Sequence, residues 1–249
     1  MRVPFFGILV DQGSPGIWQS ENFSCLIESF TGSVIEYGAW PDQATEYFTL
    51  SRLKHRLRDL YPRGGIEGAW YAGIQALTAA MCRREWRRDD GAILRLKLAM
   101  VDANDGNATD TVYQAIRESE FAALLMPSHG VGIGASGKPM PERRLKPGDE
   151  LGLNWIRYNE TVGRAIGHLT HDVNWWKSFT FARLGTPLGD SGALSLYGDT
   201  PERHRMLAEH LTAETFKRTQ LKGTPREVDE WSLLPGRDNH WLDCIVGCA

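Results

Sequence analysis

Apolar residues in this chain fall into short runs, several of which stop at a single acidic residue. Val3-Pro4-Phe5-Phe6-Gly7-Ile8-Leu9-Val10 leads to Asp11, and a turn sequence follows at Gly13 to Gly16. The β-branched and aromatic content of this run predicts a buried central strand. Phe23 to Phe30 and Val34 to Trp40 repeat the pattern on either side of Thr31-Gly32-Ser33. Three strands joined by short turns are expected as antiparallel neighbours, with the Val3 to Asp11 strand interior, between the Phe23 and Leu94 strands. Helical spacing takes over at Leu50 to Tyr61, breaks at Pro62 to Gly65, and resumes from Gly68 to Arg88. There Trp70, Ile74, Leu77, Ala80 and Met81 share a side.

From Ile93 the pattern becomes β-α-β. Leu94 to Asp102 reads as a strand that again ends on an aspartate, and a polar loop runs from Ala103 to Ala108. Thr109 or Asp110 is expected to cap the next helix, and Thr111 with Gln114 has capping-box spacing. Phe121 to Met126 is apolar throughout, as a strand buried on both faces would be. A right-handed crossover sets it parallel to the Leu94 strand. Leu151 to Tyr158 and Ala165 to Thr170 are expected to pair, and Asp172 to cap a helix carrying Val173, Trp176, Phe179 and Leu184. Thr200-Pro201-Glu202 opens a further helix with Met206, Leu207, His210, Leu211 and Phe216 along it. Trp231 to Leu234 is a short strand. Asp238 or Asn239 is expected to cap a last helix that brings His240, Asp243 and Cys244 close to one face. That helix is still apolar at Ala249, as in a segment cut from a longer protein or a short final turn.

Composition narrows the function classes. A chain of 249 residues with net charge −3 forms one large domain or two small ones and does not coat nucleic acid by bulk charge. Local basic groups remain: Arg52, Lys54, Arg56 and Arg58, then Arg83, Arg84, Arg87 and Arg88. Each reads either as a solvated helix face or as a salt-sensitive phosphate-contacting surface. No run reaches the apolar length of a membrane span, and the apolar core after Arg2 is too short for a leader. The four cysteines are expected as reduced thiols in a cytosolic setting.

Gly132-Ile133-Gly134-Ala135-Ser136-Gly137-Lys138 contains both G-x-G-x-x-G and G-x-x-x-x-G-K. A phosphate loop needs a helix N-terminus behind it, and Pro139-Met140-Pro141 follows instead. The segment is read as a flexible loop without nucleotide binding, with Arg143, Arg144 and Lys146 available to a polyanion. His168 and His171 lack a second ligand pair at zinc spacing and are read as core or surface histidines. Trp175-Trp176 is read as packing.

The order of elements, with acidic residues on the first strand, the fourth strand and the last helix, suits a ribonuclease H-like nuclease. Val10-Asp11-Gln12, Val101-Asp102 with Thr109-Asp110-Thr111-Val112-Tyr113, Leu211-Thr212-Ala213-Glu214, and Trp231 with Arg237-Asp238-Asn239-His240-Trp241-Leu242-Asp243-Cys244 carry a specific likeness. Together they resemble the C-terminal nuclease domain of the large terminase subunit of tailed bacteriophages, of the lambda type. The Leu211 to Glu214 stretch is similar to that family's L-T-x-E helix. The chain departs from the family pattern where Asp11 and Gln12 are adjacent, where Ala103-Asn104 replaces Ser-Gly, and where His240 stands at a position that is often acidic.

The resemblance implies a single ribonuclease H-like α/β domain over residues 1–249, with a mixed central sheet flanked by helices and an insertion around 127–200. It implies an endonuclease that cleaves double-stranded DNA during phage genome packaging, in the host cytoplasm. A two-metal site of Mg²⁺ or Mn²⁺ would have Asp11 as bridging ligand, with Asp102 and Asp243 each completing one metal. Asp105, Asp110 and His240 are auxiliary candidates for ligation or proton transfer. Expected partners are a packaging ATPase domain and the portal or small terminase subunit. A silent packaging module, or a junction-resolving or recombination nuclease on the same scaffold, are the alternatives.

Overall fold

The computed structural model describes residues 5–11 as a backbone strand and residues 30–159 and 165–249 in full. Strand β1 (Phe5–Asp11) pairs antiparallel with β2 (Gly32–Ala39), from Phe5 opposite Ala39 to Asp11 opposite Gly32. A single turn, α1 (Leu57–Leu60), and the long α2 (Gly65–Cys82) lead to a small antiparallel pair, β3 (Glu85–Arg87) with β4 (Ile93–Arg95). Next, β5 (Ala99–Asp102), α3 (Thr109–Arg117) and β6 (Leu125–Val131) form a β-α-β unit with parallel strands. The hairpin β7 (Glu150–Gly152) and β8 (Trp155–Tyr158) turns back into β9 (His168–Asp172), which runs parallel to β6. The remaining elements are α4 (Val173–Leu184), β10 (Leu194–Leu196), α5 (Arg205–Leu211), the antiparallel pair β11 (Glu214–Gln220) and β12 (Glu227–Leu233), and α6 (His240–Cys248).

The fold is mixed α/β. Its larger sheet has five strands in the order β5-β6-β9-β8-β7 and is flanked by helices; a second sheet has the order β1-β2-β10, with β10 parallel to β2. Residues 127–200 therefore supply β7, β8 and β9 to the larger sheet and β10 to the smaller. No helix among the described residues is long and apolar enough to cross a membrane.

Helix α6 closes two cores at once. Trp241 and Ile245 pack with Val34, Phe48, Leu194, Met206 and Leu207, while Leu242 and Val246 pack with Trp176. The i, i+1, i+4, i+5 spacing of these four residues makes one broad apolar face, so Asp243 falls off it and stays exposed. Trp241 also donates its indole N–H to Gly38 O at 2.9 Å, which ties the helix to the end of β2.

Several expectations are corrected. Among the described residues β1 is an edge strand, and the Val34 strand pairs with it directly; the Phe23 run lies outside the described residues up to residue 29. The Leu94 to Asp102 run divides into β4, which turns back on β3, and β5. The helix predicted to Arg88 ends at Cys82, because Glu85-Trp86-Arg87 enters that hairpin. Only Leu57–Leu60 of the Leu50 to Tyr61 stretch is α-helical, with a 3-10 turn at Leu50–Arg52. The Phe121 strand starts at Leu125 and runs through Pro127, whose missing N–H is tolerated where pairing with β9 begins only at Ser128. The helix expected to reach Phe216 stops at Leu211, and Glu214 opens a strand instead of lying on the L-T-x-E helix.

Capping also differs from expectation. Ala108 is the N-cap of α3, with no side-chain cap, and Thr109 instead donates to Ala103 O and Asp105 O. Asp172 caps α4 as predicted, accepting from Asn174 N at 3.1 Å.

Leu242→Ala is expected to cost about 3 kcal/mol, because it empties a fully buried position on the helix that joins both cores. Leu188→Ala, at a residue 85% exposed, should stay within about 0.5 kcal/mol of the parent. Urea denaturation of the two variants checks the contrast, and equal losses would contradict the role given to α6.

Candidate active site

The parallel strands β5, β6 and β9 end at the same edge of the larger sheet, and Asp102 is the last residue of β5. Its carboxylate is exposed and accepts the Asn104 backbone N–H at 3.0 Å, which folds the following loop into a tight turn. The Asn104 side chain fastens that loop to β6: its Nδ2 donates to Gly130 O at 2.8 Å and its Oδ1 lies 3.2 Å from His129 Nδ1. His129 Nε2 in turn lies 3.0 Å from the Tyr113 hydroxyl on α3. One tautomer satisfies the whole chain, with His129 donating from Nδ1 and accepting at Nε2. The glycine at 130 is required here, since a Cβ would sit 2.5 Å from Val173 Cγ1 at the start of α4.

Asp243 reaches the same region from α6. Its Oδ1 lies 3.2 Å from Lys177 Nζ on α4, and Lys177 Nζ lies 2.6 Å from Glu214 Oε1 at the start of β11. Glu214 Oε1 also accepts from Asn239 Nδ2 at 2.6 Å. The Lys177 and Glu214 side chains are 8% and 3% exposed, whereas half of Asp243 is open to solvent. An ammonium so buried is tolerable only when paired, and here it has two carboxylates.

Surrounding protein raises the proton affinity of Asp243, Lys177 opposes that rise, and the charges of Glu214 and then Asp102 add to it. Burial, helped by Cys248, Asp243 and Asp102, also pushes the neighbouring Cys244 thiol well above its usual range.

Other expected site residues are dispersed. Asp11 ends β1, the strand against which α6 packs, but its side chain lies outside the described residues. Asp105 and Asp110 are exposed; Asp105 Oδ1 accepts from Asn107 N, and Asp110 lies in the first turn of α3 without being its N-cap. His240 is the first residue of α6, its ring 6.3 Å from that of His210. Arg83, Arg84 and Arg88 are held by Glu120, Glu36 and Asp90. Arg87 is exposed, as are Arg144 and Lys146, with Arg143 half-buried in the loop that leaves β6 at the Asp102 edge.

Among the described residues no three His, Cys, Asp or Glu form a group that could hold a metal ion. His168 stacks in the Tyr113–His129–Tyr158 cluster, and burial pushes His171 down to about 4, with Lys177 and His129 contributing.

Sequence reasoning missed Lys177 and left Glu214 without a role. A lysine inside Trp175-Trp176-Lys177-Ser178-Phe179 interrupts an aromatic helix face, and that interruption was the available signal. Glu214 stands in the Leu211 to Glu214 segment already singled out, but the helix assumed there hid its position at a strand start.

Residues 68–249 match the family model of the terminase large subunit gpA, endonuclease domain. The chain belongs to that family. No curated protein and no solved structure matches it. The match to this lambda-type terminase nuclease family spans α2 to α6 and so includes Asp102, Lys177, Glu214 and Asp243, whereas Asp11 precedes it. In this terminase endonuclease domain the Asn239 side chain serves Glu214, so the first turn of α6 finds another acceptor: Trp241 N–H donates to His210 Nδ1 at 3.2 Å.

His210 accepts only when neutral, and burial, followed by the charge of His240, lowers it from 6.5 to about 4. Between those values the unfolded chain binds more protons, so stability rises with pH through this window and is lost as pH falls from about 6.5 to about 4. His210→Gln keeps an acceptor without the titration, and the acid-side loss should flatten in urea midpoints measured across the window. An unchanged slope would show that His210 is not held neutral.

Proposed function

We propose that this terminase endonuclease domain is a divalent-metal-dependent nuclease of ribonuclease H-like architecture that cuts double-stranded DNA during genome packaging. The observation that carries the reading is the family match over residues 68–249, within which exposed Asp102 ends β5 and half-exposed Asp243 stands on α6 beside Lys177. The antiparallel β1–β2 pair and the parallel β5–β6 crossover support the architecture.

The donor set fits a hard cation. Asp102 and Asp243 offer accessible carboxylate oxygens, the hard donors that Mg²⁺ and Mn²⁺ prefer. With Asp11 as the third ligand, the site would hold two Mg²⁺ or Mn²⁺ ions, which when bound stabilise the attacking and leaving oxygens of an in-line displacement. Asp102 is oriented by the Asn104 turn and Asp243 by Lys177, so both carboxylates are fixed before substrate arrives. His240, Asp105 and Asp110 are the auxiliary candidates for moving the proton of the attacking water. Of the basic residues expected to meet phosphates, Arg83, Arg84 and Arg88 are already paired, which favours Arg87, Arg143, Arg144 and Lys146 for that role. A packaging ATPase domain and the portal or small terminase subunit complete the assembly in the host cytoplasm, and this chain binds no nucleotide.

A second reading, a catalytically silent packaging module, is favoured by one observation: Lys177 already balances Glu214 and Asp243 without any metal. Supercoiled-plasmid nicking separates the two. The parent chain should nick in Mn²⁺ or Mg²⁺ and not in EDTA. Asp11→Asn, Asp102→Asn and Asp243→Asn should each lose on the order of 100-fold or more in rate while keeping their circular-dichroism spectra. A parent chain inert in both ions leaves the silent module. Any Asn variant cutting at the parental rate removes that residue from the ligand set.

A further inference from the structure

We propose that Lys177 is a resident cation of the carboxylate site that keeps it assembled without metal and weakens its hold on an incoming divalent ion. The inference rests on the metal-dependent reading above and assigns a positioning residue to it.

Two groups from distant elements meet on this ammonium, Glu214 at 2.6 Å and Asp243 at 3.2 Å, with Asn239 Nδ2 closing on the same Glu214 oxygen at 2.6 Å. Lys177 cannot swing away. Its side chain is 8% exposed, and α4 is fixed by the Asp172 cap at one end and by Trp176 in the core beside it. A lysine with no escape to solvent acts as a fixed positive charge in surroundings less polar than water, where its field is stronger than at a surface.

That field has two opposite consequences. In the empty site it cancels repulsion between Glu214 and Asp243, which would otherwise force a proton onto one of them. Toward an incoming divalent ion it is repulsive, and it weakens binding at Asp243 and Asp102.

The test is Mn²⁺ titration calorimetry on the full chain without DNA. Lys177→Met keeps the apolar stem and removes the charge, and should bind Mn²⁺ about tenfold more tightly than the parent. Its melting temperature should fall in EDTA and recover with Mn²⁺, and Lys177→Arg should keep parental affinity. Should Lys177→Met fail to fold, the pair Lys177→Met/Glu214→Gln removes both buried charges together, and it should bind Mn²⁺ more tightly than Glu214→Gln alone. A purely structural lysine predicts weaker or unchanged Mn²⁺ binding, and that result overturns the inference while leaving the nuclease reading intact. Absence of Mn²⁺ binding in parent and variants alike overturns the metal-dependent reading itself.

Discussion

The structure depends on the burial of one face of a nine-residue helix. Trp241, Leu242, Ile245 and Val246 close the two cores that α4, α5, β2 and β10 leave open. Burying four large side chains fixes both the axial position and the rotation of α6. Its first turn is then secured by the Trp241 bonds to His210 and Gly38. Once that rotation is set, Asp243 has one direction to point, toward the buried ammonium of α4. The position of an acidic group is thus inherited from apolar packing on the other side of the helix, and it needs no adaptable loop.

Asp102 is placed by different means. It ends a four-residue strand, too short to orient a side chain beyond its end, and the turn that follows carries the precision. Asn104 links that turn to β6, and His129 and Tyr113 link it to α3. A hydrophobic lock on α6 and a polar lock on β5 therefore converge on neighbouring carboxylates. The contrast matters for substitution: changes in the α6 face should act through stability, and changes in the Asn104 network through geometry at one carboxylate.

What the sequence made legible follows the same division. Asp102 and Asp243 stood out because each breaks an apolar period, and the β5-α3-β6 unit was readable because its strands and helix are consecutive. Strand pairing across long separations was not. Ser33 meets Ser195 at 2.6 Å although 162 residues separate them, and no local pattern announces that β10 will lie beside β2. The β11–β12 pair was missed because Phe216 fits the helical spacing of the preceding apolar residues as well as a strand. Lys177 and Glu214 were obscured for a related reason, since a charged residue near aromatics reads as a solvated edge until its partner, 37 residues away, is known.

The glycine-rich Gly132 to Lys138 segment shows the same principle in reverse, a local motif whose meaning is set by distant residues. Its backbone is already engaged from β12 and the turn before it. Ala135 N–H donates to Glu230 Oε1 at 2.9 Å, and the Arg226 guanidinium donates to Gly134 O, Ala135 O and Gly137 O. A carboxylate takes the N–H that a phosphate loop would present to its ligand, and the cation faces carbonyls, which no phosphate would choose. Gly134 is itself required by this contact, because a Cβ there would lie 2.5 Å from Glu230 Oε1. The glycines thus allow the chain's own side chains to approach its backbone. They turn a segment that resembles a nucleotide cradle into an internal clamp between the loop after β6 and the β11–β12 pair, whose first residue is Glu214.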